Sequence, residues 1–93
     1  MGKIDLLANY IEDLWAKGFK LADEEVQFIY FGRKYTNAAD WKVILSIRVT
    51  LQFQQTFDGS FYLSLLELFT QEPNYTYSDV NQILKEKGLL AIS

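Results

Sequence analysis

Seven apolar residues occupy alternate positions along one stretch of the chain: Trp41, Val43, Leu45, Ile47, Val49, Leu51 and Phe53. Between them stand Lys42, Ile44, Ser46, Arg48, Thr50 and Gln52, so only Ile44 breaks the alternation. A period of two held over 13 residues is the pattern of a strand with one buried face. Val43, Ile44, Ile47, Val49 and Thr50 are also β-branched and suit a pleated backbone. The stretch is therefore expected to form the central strand of the fold.

The preceding segment, Val26 to Thr36 (VQFIYFGRKYT), is aromatic and ends at Asn37-Ala38-Ala39-Asp40, which suits a second strand joined to the first in an antiparallel hairpin. With Thr36 opposite Trp41, Val26, Phe28 and Tyr30 share a face with Leu51, Val49 and Ile47, so both core faces match in one register. Gly32 then lies opposite Leu45 and marks a bulge or a place where a neighbour approaches closely. A helix beginning at Asp23 competes for this segment. The central strand is also long: it would span roughly 43 Å, whereas a compact domain of this size has a diameter of roughly 32 Å. Such a strand must bend, break or project.

Three segments read as helices. From Lys3 to Lys17, Ile4, Leu7, Ile11, Leu14 and Trp15 recur at helical spacing, and Gly18 follows with Phe19 placed to return to Leu14, as in a Schellman ending. From Ser60 to Gln71, polar residues at 60, 64, 67 and 71 leave Tyr62, Leu65, Leu66 and Phe69 on the other side, a helical stripe with a third strand as the alternative. Pro73 stops it. Thr76 and Asp79 then form a capping box, Tyr75 and Val80 a staple, and Gly88 with Leu89 closes a helix whose apolar face is Val80, Ile83 and Leu84. The apolar tail, Leu89 to Ile92, is expected to dock on the core or add an edge strand. The expected fold is α+β: one domain over residues 1–93, with an N-terminal helix, a long antiparallel β-hairpin and two C-terminal helices packed on one face of the sheet.

Composition bears on function mainly by exclusion. The chain has no cysteine and no histidine, which removes thiolate nucleophiles, disulfides, the commonest general base and the commonest metal ligands. Neither a phosphate-binding glycine loop nor a nucleophile elbow occurs. The acidic run Asp23-Glu24-Glu25 reads as a solvated cluster before it reads as a metal site. No enzyme, cofactor or metal is expected. The amino terminus carries charge too early for a signal peptide, and no apolar run approaches membrane-spanning length, so a cytoplasmic protein is expected.

Charge is segregated along the chain. Residues 1–25 and 58–93 each balance to −3, while residues 26–57 balance to +3. In the hairpin register above, the outer face combines Phe31, Arg33 and Tyr35 with Lys42, Ile44 and Arg48, residue types common at protein interfaces. These six residues are the expected partner-binding surface of a small inhibitor, immunity or regulatory factor, with a protein as partner and a homodimer as a further expectation. Nucleic acid is the alternative partner. The hairpin aromatics could stack bases, and the last two helices resemble a helix-turn-helix with Ser78, Asn81, Gln82 and Lys85 outward. That two-helix segment is net negative, which opposes phosphate binding.

Overall fold

A computed structural model describes residues 5–89 of the chain. Among these there are five helices and no strand: α1 (Leu6–Ala16), α2 (Asp23–Thr36), α3 (Asp40–Gln54), α4 (Gly59–Phe69) and α5 (Tyr77–Glu86). The expected α+β fold is thereby overturned. Both hairpin strands are helices, and the loop at Asn37 to Asp40 is a helix–helix connection. The helices expected near residues 3–17, 60–71 and 76–88 are present as α1, α4 and α5.

The strand reading of Trp41 to Phe53 fails for a geometric reason. Residues two apart on a helix are separated by about 200°, so apolar residues at every second position divide between opposite sides. Val43 and Ile47 enter a core cluster with Leu7, Ile11 and Leu14 of α1, Ile29 of α2 and Tyr62 and Leu66 of α4. Leu45 and Val49 enter a second cluster with Leu65 and Phe69 of α4 and Val80 and Leu84 of α5. What reads as one strand face is two helical stripes that serve two cores.

The even positions divide in the same way. Ile44, Arg48 and Gln52 form the outer stripe of α3, with Arg48 and Gln52 exposed and Ile44 half-buried. Lys42, Ser46 and Thr50 form a stripe that is buried, between the two apolar ones and toward α4, which contributes to both clusters. The burial of Ser46 and Thr50 is tolerable because their hydroxyls are satisfied locally. Ser46 Oγ donates to the Lys42 carbonyl at 2.8 Å and Thr50 Oγ1 to the Ser46 carbonyl at 2.7 Å. The length conflict also disappears, since 15 residues of helix span about 22 Å, inside a molecule measuring 32 × 32 × 23 Å.

Helix ends follow the local chemistry. Asp5, Asp58 and Thr76 accept from Ala8, Phe61 and Asp79 N–H at the starts of α1, α4 and α5, and Asp79 returns a bond to Thr76 N–H, completing the capping box. Gly18 and Gly88 take positive φ, and Phe19 and Leu89 N–H reach back to the Leu14 and Leu84 carbonyls at 2.8 Å. Asn37 ends α2 in the same way, at φ 56°, with Ala38 N–H donating to the Arg33 carbonyl. This third Schellman ending stands where a hairpin loop was expected. Leu89 is half-buried against the second core; the rest of the tail, residues 90–93, lies outside the described residues. Among the described residues no helix is long and apolar enough to cross a membrane.

Candidate functional site

The residues of α2 explain its orientation. Asp23, Glu24 and Glu25 occupy its first turn and Arg33 and Lys34 its last, each sign at the end of the helix dipole that favours it. The acidic run has a structural role here, since Glu25 Oε1 accepts from Ala22 N–H at 2.8 Å. Ala22 has no side-chain acceptor, so only this half of a capping box forms.

One side of α2 is fixed against the core through Ile29 and Gly32. At Gly32 the helix meets Tyr62 of α4 so closely that an added Cβ would lie 2.9 Å from the Tyr62 ring. The Tyr62 hydroxyl donates to the Ile29 carbonyl at 2.8 Å. Burial pushes the Tyr62 phenol far above its ordinary ionisation range, with the Arg33 guanidinium opposing the effect. Gly32 is thus a point of close approach, one of the two roles open to it in the sequence.

The opposite side of α2 carries Glu24, Gln27, Phe31, Lys34 and Tyr35, all exposed. Phe31 and Tyr35 are 52% and 64% exposed, and their rings stack with centroids 5.6 Å apart and planes at 15°. Phe28 continues the row inward, 5.9 Å from Phe31 and 6.2 Å from Tyr62. Four rings therefore run from the core to the surface. The outer pair is held by an inner pair that packing has already fixed.

The other predicted residues are placed elsewhere, because the hairpin face that was to unite them does not exist. Arg33 turns away from Phe31 to pair with Asp40 at 3.0 Å and lies 4.9 Å over the Tyr30 ring, tying the end of α2 to the start of α3. Lys42 is buried on α3, 5.5 Å from the Trp41 ring. Ile44 packs on the first core. Arg48 borders a groove between α1 and α3 with Tyr10, Asp13 and Lys17. Only Phe31 and Tyr35 come together on one surface. Phe28, Lys34 and Glu24 complete it, and the competing helix from Asp23 was the signal that could have found them, since 28, 31 and 35 follow helical spacing.

Over residues 3–90 the sequence matches a family described as a family of unknown function, DUF6123. No curated protein and no solved structure matches it.

Proposed function

The chain belongs to that family of unknown function, and we propose that it is a non-catalytic protein-binding module that docks through the exposed face of α2. One observation carries this reading: the stacked Phe31 and Tyr35 rings, each more than half exposed. Aromatic side chains presented on a surface are the residue types that dominate docking energetics. Phe28 packs Phe31 from within, so docking costs little additional side-chain freedom.

The charges around the rings describe the partner. Asp23 and Glu24 flank one end of the face and Lys34 the other. A partner helix with an apolar stripe and the same distribution of charge, acidic at its start and basic at its end, would lie antiparallel to α2 with opposite charges facing. Nucleic acid suits the face less well, since Glu24 offsets Lys34 and the chain as a whole carries −3. A regulatory or inhibitory role in the cytoplasm belongs to the same reading.

A photo-crosslinking amino acid at position 31 or 35, in cells that make the protein, tests it. The expected result is one heterologous protein adduct at both positions and none at Gln82, which is exposed on α5. With the crosslinker at 31, Tyr35→Ser should deplete the adduct and leave Tm nearly unchanged, because Tyr35 is exposed and makes none of the cap hydrogen bonds of α2, and such sites contribute little to stability. Adducts no different from those at Gln82 would overturn the proposal. A self-adduct alone, with the mass of two chains in sedimentation, would overturn the heterologous partner and install a second copy instead.

A further inference from the structure

We propose that the pocket between the α2–α3 connection and the end of α4 binds a singly charged carboxylate with a small apolar body, anchored by the Lys42 ammonium. Lys42 is the third residue of α3 and only 4% exposed. Among the described residues its ammonium has neither a hydrogen-bond partner nor an ion-pair partner. The ion pair found is Arg33 with Asp40, and the Lys42 bonds to Ala39 and Ser46 use its backbone. No described side-chain nitrogen or oxygen is both fully occluded and without a partner, so the ammonium retains a small opening. Lys42 is one of the residues that line an adjoining pocket of about 320 Å³.

A cation withdrawn from water without a counter-charge is costly, and a chain that needed only to fill this space could use Met. The surroundings favour an anion of modest charge. Ala39 stands at the N-cap of α3 without a side-chain acceptor, and the first-turn carboxylate of that helix, Asp40, is engaged by Arg33, so the positive helix end is only partly offset. Thr36 and Thr70 bring the negative ends of α2 and α4 to the same pocket, which subtracts from the field of Lys42. The balance suits one negative charge better than two. Trp41, Pro73 and Tyr75 form the remaining wall and supply the surface for an apolar body, in a volume at the small end of ligand pockets.

The test uses the full chain, titrated with phenylacetate, hexanoate, inorganic phosphate and phenethylamine at constant ionic strength. Binding is followed by Tm and by the NMR signal of the Trp41 indole N–H. Both carboxylates should raise Tm and shift the indole saturably, whereas phosphate and the amine should do neither. Lys42→Met should weaken carboxylate binding by about tenfold or more while holding or raising the Tm of the ligand-free protein. Ala39→Asp is an independent variant, because Asp is a favoured N-cap: it should raise Tm and weaken carboxylate binding by placing a negative charge at the pocket. The proposal is overturned by the absence of a saturable carboxylate response, by an undiminished response in either variant, or by a preference for phosphate.

Discussion

Gly32 and Tyr62 show how much one close contact can decide. A Gly→Ala change inside a helix ordinarily gains about 1 kcal/mol of helix propensity. Here the new methyl would press on a fully buried ring held by its bond to the Ile29 carbonyl, and overpacking costs about 1–3 kcal/mol. Gly32→Ala should therefore destabilise the protein in chemical denaturation, yet stabilise it in a Tyr62→Leu background, where the ring is gone. Equal effects in both backgrounds would show that the contact is not what holds Gly32 in place. The same phenol sets an alkaline limit. Burial raises its ionisation above the ordinary value of 10.0, so the folded state retains a proton that the unfolded state releases. Its contribution is complete below pH 10 and is lost as pH rises toward the folded-state value, at up to about 1.4 kcal/mol per pH unit. The half-buried Tyr10 phenol, raised by partial desolvation, acts in the same direction. Tyr62→Phe should lower stability near neutrality by about 1 kcal/mol and flatten its decline above pH 10, measured by urea titrations across the alkaline range.

At the scale of the element, α3 presents a hydroxyl stripe whose bonding is internal. Because Ser46 and Thr50 bond only to carbonyls of their own helix, removing either hydroxyl leaves no buried group without a partner. Ser46→Ala and Thr50→Val should each change the unfolding free energy by less than about 1 kcal/mol, whereas Ile47→Ala, in the first core, should cost about 2–5 kcal/mol. A large loss from Thr50→Val would mean that the hydroxyl bonds across to α4. The same stripe explains what could be read in the sequence. Helices α1, α4 and α5 announce themselves because each has one apolar face, and α1 and α5 also have glycine ends. Helix α3 does not, because it is buried on two sides and its polar residues fall on even positions by the i, i+4 rule. Its roughly 43 Å length as a strand is the legible contradiction, since a straight strand of that length exceeds the 32 Å extent of the molecule whereas a helix does not. The same pattern obscures α2, whose aromatic residues match the register of a neighbouring strand. Phe31 and Tyr35 are surface residues in either conformation, but the neighbours that a strand register gives them lie on a face that does not form.

At the scale of the whole molecule, the basic middle of the chain supplies α2 and α3 and presents no single basic surface. Arg33 and Lys34 close α2, Lys42 is buried and Arg48 stands in a groove, so the +3 segment is distributed over several surfaces. The acidic flanks include α1, the first turn of α2, α4 and α5. The two features proposed to bind ligands are therefore separate: an aromatic face on the outside of α2, and a nearly buried lysine near the start of α3. They share no side chain, and their tests use different probes, so either can fail without the other.

The two-sided burial of α3 also bears on how the molecule comes apart. Each of the other four helices shares a core cluster with it, so its departure would open both clusters at once. The amides of α3 should therefore be among the last to exchange with solvent.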